Sequence, residues 1–511
     1  MFLKTALLKQ ILLFGAGKSA TCLIEYLLAE SLNNNWELVV ADGNLLLAEE
    51  KIGQAPNARA IQIDVKNVAQ RNKLIRKADL VISMLPAALH FLVAKDCVEF
   101  GKNLLTASYV DDQIRSLAGE IDRKGLLFLC EMGLDPGIDH MSAMRIIDRI
   151  RSQSGIIHSF FSHCGGLVAP ESDDNPWHYK ISWNPRNIVL AGKSGARFKA
   201  RGQVQHLPYE TLFDPYRLVE VQDQGYFAWY PNRDSLEYMS LYHLEEADSF
   251  VRTTLRHPDF CLGWRKLIQL KLTDETIQYD TDGMSLKEFF RMHLEKYGFG
   301  QWLEDSLNAR ATMARDLMQQ TMQLLNAEKN AKEESGGSEE DFDPNMLLMN
   351  EGGELKNINL DALKNDATAI AMQKMHEANL SVKLLFYLGI DSGEMINKGR
   401  CSAADVLQFT LEKNLALKPG DKDMIVMLHQ FEYSVKGAHY TINSWLVVKG
   451  RDHVHTAMAK TVGLPLGIAA KLILQGRLNI AGLHIPVLPE IYEPVLKELE
   501  AQGIIFHENQ T

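Results

Sequence analysis

Gly15, Gly17 and Ala20 stand at the spacing G-x-G-x-x-A, directly after the apolar run Lys9–Phe14 and before apolar positions Leu23, Ile24, Leu27 and Leu28. Strand, glycine turn and one helix face in that order set backbone N–H groups and a helix N-terminus around a pyrophosphate. Gly15 permits the tight turn, Gly17 lets the backbone approach the phosphates, and Ala20 lets the helix pack closely on the sheet; Lys18 and Ser19 open that helix. Asp42 ends the next strand, Trp36–Ala41, 22 residues beyond Ala20. A carboxylate there accepts from a ribose 2′-hydroxyl and repels a 2′-phosphate, so NAD is expected in preference to NADP. The plainer alternative is a turn residue ahead of Gly43.

Further candidates follow other apolar runs. Asp64-Val65 and Ser83-Met84-Leu85-Pro86 lie at strand ends, where an open α/β sheet forms its ligand crevice. Thr106-Ala107-Ser108-Tyr109 and the stretch Glu131 to His140, which contains Leu134-Asp135-Pro136-Gly137, also follow strands and can reach the nicotinamide end. Asp135-Pro136-Gly137 alone is a turn signal, and Asp139 can cap the helix that follows. Cys164 beside Gly165-Gly166 is either a proton donor or a packed small residue. Arg233, Arg252 and Arg256 carry guanidinium groups suited to holding carboxylates bidentately. For proton transfer Asp135 and Cys164 are the first candidates, with His140 and His163 as alternatives that are more often structural beside an aromatic-rich strand.

The elements that must position these groups are legible in outline. Strands at Lys9–Phe14, Trp36–Ala41, Ala60–Ile63, Leu80–Leu85, Asn103–Ala107 and Leu126–Cys130 alternate with helical stretches, which predicts a Rossmann-type, doubly wound parallel sheet covered on both faces. From Ile156 to Tyr230 aromatics, Gly and Pro mark a second α/β unit. Leu267 to about Leu417 is mostly helix-forming. Within it Glu328 to Pro344 carries seven acids against two lysines around Ser335-Gly336-Gly337-Ser338, a solvated insertion by composition. Met424–Val448 returns to strand alternation before an apolar helix at Ala457–Leu474. The expected division is a dinucleotide-binding domain at 1–133, to which 455–511 returns; an α/β substrate domain at 134–266 plus about 420–454; and a helical domain at 267–419 with a flexible acidic insertion at 328–344.

Composition narrows the function classes. With 511 residues, 54 Lys plus Arg and 65 Asp plus Glu, the net charge is −11, which argues against nucleic-acid binding. Six scattered cysteines without a C-x-x-C pair indicate neither a zinc site nor a disulfide framework, so no metal is expected and a reducing, cytoplasmic setting is. Lys4 and Lys9 interrupt the N-terminal apolar run, which argues against a signal peptide, and no uncharged apolar stretch of membrane-spanning length is found.

The strings DLVISMLP, LLTASYV, GLDPGIDHMSAM, CGGLVAPESDDNPWHYKISW, YPNRDS, VRTTLR, DKDMIVM and AMAKTVGLP occur in this order along nearly the whole chain. In them the sequence resembles the saccharopine dehydrogenase (L-glutamate-forming) family, also called saccharopine reductase. The resemblance implies hydride transfer at the secondary amine of L-saccharopine, giving an imine that water splits into L-glutamate and L-2-aminoadipate 6-semialdehyde, or the reverse, in lysine metabolism. It implies that Ser108, Tyr109, Asp135, Arg233, Thr254, Leu255 and Arg256 hold this small-molecule substrate. It further implies that Gly15, Gly17, Lys18, Ser19, Asp42, Asp64, Val65, Met84, Thr106, Ala107, Leu134, Asp135, Pro136 and Asn184 hold the cofactor, and that the protein is a homodimer paired through the substrate-domain sheet. Two departures stand out: Asp42 replaces an Arg-containing turn of NADP-using fungal relatives, and the acidic insertion interrupts the helical region. The rivals are a dehydrogenase of a carboxylated polyamine adduct, of carboxynorspermidine or homospermidine type, and a non-catalytic NAD-binding protein.

Overall fold

The structure is a computed structural model and describes residues 8–214, 217–302, 304–305, 345–349, 355–359, 377 and 379–511. The chain divides into two compact units, Met1–Cys261 with Leu415–Thr511, and Leu262–Asn414.

The first unit opens with β1 (Lys9–Phe14), β2 (Trp36–Asp42), β3 (Ala58–Gln62), β4 (Leu80–Ser83), β5 (Asn103–Thr106) and β6 (Leu127–Leu129). With a seventh strand at Gly482–His484 they form one sheet in the order 482–484, β6, β5, β4, β1, β2, β3, all pairs parallel. Ile11–Phe14, Leu38–Ala41 and Leu80–Ser83 are buried continuously, as strands covered on both faces require. The order reverses between β1 and β4, the switch point where such sheets bind ligands. The register aligns Phe14 with Ala41 and with Ser83, and Ser83 with Thr106, so the turns after four strands open on one edge. The fold is the Rossmann-type α/β architecture expected from the alternating strands and helices.

Next come β7 (Ile156–Val168), β8 (Ala196–Ala200), β9 (Gln203–Leu207), β10 (Arg217–Val221), β11 (Gly225–Pro231) and β12 (Ser249–Arg256). They join the long hairpin Asp423–Val435/Ala438–Lys449 and the terminal strand His507–Gln510 in a mixed nine-stranded sheet. The hairpin turns at Lys436 and Gly437, both with positive φ (50° and 86°), the left-handed pair a two-residue hairpin loop demands. β7 pairs parallel with β12 and antiparallel with Asp423–Val435, which places it in the sheet's interior.

One helix among the described residues, Ala457–Leu474, is apolar and long enough to cross a membrane, but 78% of it is buried inside the protein. It lies against helix Thr21–Asn34: a Cβ at Gly463 would come within 2.9 Å of Leu23 N, and one at Gly467 within 2.6 Å of the Tyr26 ring. Glycine at these two positions lets the C-terminal helix close directly on the helix that follows the glycine turn.

The second unit contains helices Leu286–Lys296 and Ala403–Asn414 and two short antiparallel pairs, Tyr279–Asp280 with Arg400–Cys401 and Asn345–Met349 with Leu355–Asn359. The acidic stretch 328–344 expected to form an insertion lies outside the described residues.

Candidate active site

The glycine turn is built by crowding on one side and open space on the other. Gly15 has φ +101°, and a Cβ there would stand 2.8 Å from Met84 O, so the approach of β4 excludes a side chain. A Cβ at Gly17 would meet nothing within 4 Å, which is the open cradle a pyrophosphate needs above a helix start. Lys51, which no sequence motif flags, donates to Gly17 O at 2.5 Å and Thr21 Oγ1 at 2.9 Å and fastens the turn from the next helix. These residues fit a bound dinucleotide, which when present accepts or supplies the hydride.

Asp42, expected to meet the ribose, ends β2 beside the glycine turn. Its Oδ2 accepts from Ala16 N at 2.7 Å and its Oδ1 from Asn44 N at 2.8 Å. Both oxygens are engaged in shaping the turns of β1 and β2, the plainer alternative. Asp64 is exposed and accepts from Lys66 N, Val65 O accepts from Arg71, and Met84 N donates to Phe14 O. Lys18 and Ser19 open the short helical turn before Thr21. Asn184 caps helix Pro185–Val189 through Arg186 N; no hydrogen bond joins it to the glycine turn among the described residues.

The loops after β5 and β6 are tied together at the same edge. Met132 N donates to Thr106 O and Glu131 N to Ser108 O, while Thr106 Oγ1 accepts from Ser108 N. Gly133 and Gly137 touch: a Cβ on Gly137 (φ +146°) would fall 2.1 Å from Gly133 O, and one on Gly133 3.1 Å from the Ala107 Cβ. This tight loop, with Leu134 and Pro136 buried, sets Asp135 beside Tyr109, whose hydroxyl lies 3.4 Å from Asp135 Oδ1. Arg233, exposed and with φ +52°, lays its guanidinium over the Tyr109 ring at 4.8 Å.

The strand β12 supplies a second set. Side chains alternate along a strand, so Arg252, Thr254 and Arg256 share one face and Thr253 and Leu255 the other. Arg252, 2% exposed, donates through Nη2 to Asp135 Oδ1 at 2.6 Å and Asp139 Oδ2 at 2.7 Å, and stacks over Tyr238 at 4.3 Å. Behind it Glu131 accepts from Tyr238 and Val110 N and meets His140 Nε2 at 2.9 Å. Burial pushes Asp135 up to about 6 against the pull of Arg252, with Asp139 adding to the rise. Burial alone would raise Asp139 too, but His140, Arg252 and the Gly137 N–H hold it below the ordinary carboxylate range. Two carboxylates on one guanidinium thus separate into one poised near neutrality and one held ionised.

Arg256 is also buried, between the rings of Tyr179 (5.3 Å) and Phe260 (5.5 Å). Its Nη1 reaches only the carbonyls of Leu255 and Gly166, its Nε has no partner, and no carboxylate among the described residues lies within ion-pair distance. Leu255, assigned to substrate by resemblance, turns its side chain into the opposite core with Leu167, Val426 and Leu428. Cys164 pairs with Thr254 and is buried; burial, then the charges of Asp135 and Asp139, raise its thiol far above the usual range, so it stays protonated. Its glycine neighbours are close-packing residues: a Cβ at Gly165 would lie 2.7 Å from Leu255 O. His163 is bonded to Thr253 and Gln430 inside the sheet, as a structural histidine.

His90 and Tyr238 belong to this site without having been singled out from sequence, while Glu131, Asp139 and Arg252, named there, prove to be joined in one buried network. His90 bridges Ser83 Oγ (2.8 Å) and Ser108 Oγ (2.7 Å). Arg252 had a signal, its two-residue spacing from Thr254 and Arg256; His90 had none.

Along nearly its whole length the chain is similar to characterised proteins. A model for the saccharopine dehydrogenase NADP binding domain matches residues 11–129, and one for the saccharopine dehydrogenase C-terminal domain matches 133–504. The chain belongs to the saccharopine dehydrogenase family. It is 30% identical over 499 residues to saccharopine dehydrogenase [NADP(+), L-glutamate-forming] of Schizosaccharomyces pombe, covering 98% of both chains. It is 29% identical to the protein of that name from Saccharomyces cerevisiae over 98% of this chain and 99% of that one. It is 30% identical to mitochondrial alpha-aminoadipic semialdehyde synthase of Mus musculus, of which it spans 49%. The apo saccharopine dehydrogenase (L-Glu forming) structure from Saccharomyces cerevisiae superposes with TM-score 0.76 at 28% identity, covering 98% of this chain and all of that one. Family membership makes the protein an oxidoreductase acting on a CH–NH bond. The expected preference for NAD is overturned: the matching domain model is an NADP-binding one and both fungal relatives are named for NADP(+). Asp42, on which that expectation rested, has both carboxylate oxygens accepting backbone N–H groups of the turns, so a carboxylate at this sequence position does not by itself report a ribose contact.

Proposed function

We propose that this saccharopine dehydrogenase family member interconverts L-saccharopine with L-glutamate and L-2-aminoadipate 6-semialdehyde, using a nicotinamide dinucleotide, in lysine metabolism. Arg256 carries the reading. A buried guanidinium without a carboxylate is costly until an anion reaches it, and saccharopine offers three carboxylates. Arg233, over the Tyr109 ring, supplies a second positive group, and Ser108 and Thr254 supply hydroxyls.

Asp135 is suited to proton traffic. Hydride can leave only from carbon beside a neutral amine, and the resulting imine must then gain water and collapse; each stage moves a proton. A carboxyl titrating near 6 serves as base when ionised and acid when protonated, and Arg252 fixes its direction. Cys164, protonated and enclosed, packs the strand pair under Thr254.

The test is the rise of reduced-nicotinamide absorbance when purified protein meets L-saccharopine with NADP+, and in parallel with NAD+. Turnover with saccharopine supports the assignment. Dinucleotide binding without turnover, or turnover only of a carboxylated polyamine adduct, overturns it.

A further inference from the structure

Two histidines and an aspartate converge just beyond β12. His178 lies in the loop between Ser172 and helix Pro185–Val189; His257 and Asp259 flank the start of helix Pro258–Gln269. The two imidazoles stack at 3.9 Å between centroids with 30° between planes. His178 Nε2 stands 3.4 Å and His257 Nδ1 4.0 Å from the same oxygen, Asp259 Oδ2. One ligand atom from each of the three residues lies within 4.8 Å of the other two.

A second observation comes from behind His178. Its other nitrogen, Nδ1, is 2.6 Å from Asp173 Oδ2. A carboxylate in that place takes the Nδ1 proton and turns the Nε2 lone pair outward, as carboxylates do behind metal-bound histidines. Here Nε2 then faces a carboxylate oxygen at 3.4 Å, a gap that either a proton on Nε2 or a metal ion can bridge. His178 adopts φ +47°, so the loop holds the ring in a conformation a β-carbon residue rarely takes. His257 Nδ1 also accepts the Asp259 N–H at 3.2 Å, a bond that coordination through that atom would replace.

We propose that His178, His257 and Asp259 form a binding site for a divalent transition-metal ion of the zinc type, with Asp173 orienting His178. Two imidazoles and one carboxylate suit zinc or cobalt and supply too few oxygens for calcium or magnesium. All four side chains are partly exposed, so the ion has an entry path and a fourth position open to water. The ion would fasten the 173–178 loop to the first turn after Arg256. This site is independent of the reaction assigned above.

The experiment is a titration of the full-length, untagged, chelator-treated protein with Co2+, read by visible absorption, followed by displacement with Zn2+. The expected result is the intense visible spectrum of four-coordinate cobalt, saturating at one equivalent, abolished by one equivalent of zinc and untouched by excess Mg2+. His257→Gln and His178→Asn, the latter tolerant of positive φ, should lose the spectrum with circular dichroism unchanged. Asp173→Asn, which keeps all three ligands, should weaken binding about 10–100-fold. A wild-type spectrum that stays that of the hydrated ion, or one unchanged in His257→Gln, would overturn the site and leave a His178–carboxylate ion pair in its place.

Discussion

Arg252 and Arg256 lie four residues apart on one face of the same buried strand, yet among the described residues only Arg252 has carboxylate partners, Asp135 and Asp139. One guanidinium is satisfied by the fold; the other awaits something from outside it. The two arginines should therefore respond oppositely to removal.

Arg252→Gln leaves Asp135 and Asp139 buried without their cation. Breaking a buried pair from one side costs about 3–5 kcal/mol. Urea unfolding should show a loss of that size; a loss below about 1 kcal/mol would mean the carboxylates find other partners.

Arg256→Met removes a charge that no carboxylate among the described residues balances. Its stability in the same unfolding experiment should equal or exceed wild type, since an unpaired buried charge is replaced by an apolar chain of similar reach. Marked destabilisation would point to an internal partner for Arg256.

Asp135 should make the reaction pH-dependent with a definite sign. Its raised pKa of about 6 means the carboxyl is protonated below that pH, so oxidation of saccharopine, which needs a proton acceptor, should rise through pH 6 and level off above it. Asp135→Asn should lose this limb of kcat/KM and about 10²–10⁴ in rate. A limb of unchanged midpoint in the variant would assign it to another group.

His90 is kept neutral by burial, which lowers its pKa to about 4, and its two nitrogens span Ser83 and Ser108. His90→Leu would strand the buried Ser83 hydroxyl, at about 1–3 kcal/mol of stability, and release Ser108. Steady-state kinetics should show KM for saccharopine raised more than kcat is lowered; unchanged KM would confine His90 to a packing role.

The nucleotide-binding sheet was legible because its signals are local. Strand, glycine turn and apolar helix face follow one another within the first 28 residues, and the aligned strand ends follow from parallel pairing. Asp42 shows the limit of such reading. Its position matched a ribose partner, but which N–H groups its carboxylate meets depends on how β1 and β2 lie side by side. The arginine face was harder still. Arg252 meets Asp135 and Asp139 across separations of 117 and 113 residues, and no local pattern distinguishes its paired guanidinium from the unpaired one of Arg256. Leu255 was drawn in by its neighbours in the string VRTTLR, whereas strand alternation turns it to the opposite core.

The most direct test of the carboxylate clamp is a paired measurement on Arg256→Met: dinucleotide affinity by calorimetry and saccharopine turnover by absorbance. Loss of a charge-assisted contact of about 2–5 kcal/mol predicts kcat/KM for saccharopine at least about 30-fold lower with dinucleotide affinity unchanged. Wild-type turnover in that variant would contradict Arg256 as the group that holds the substrate.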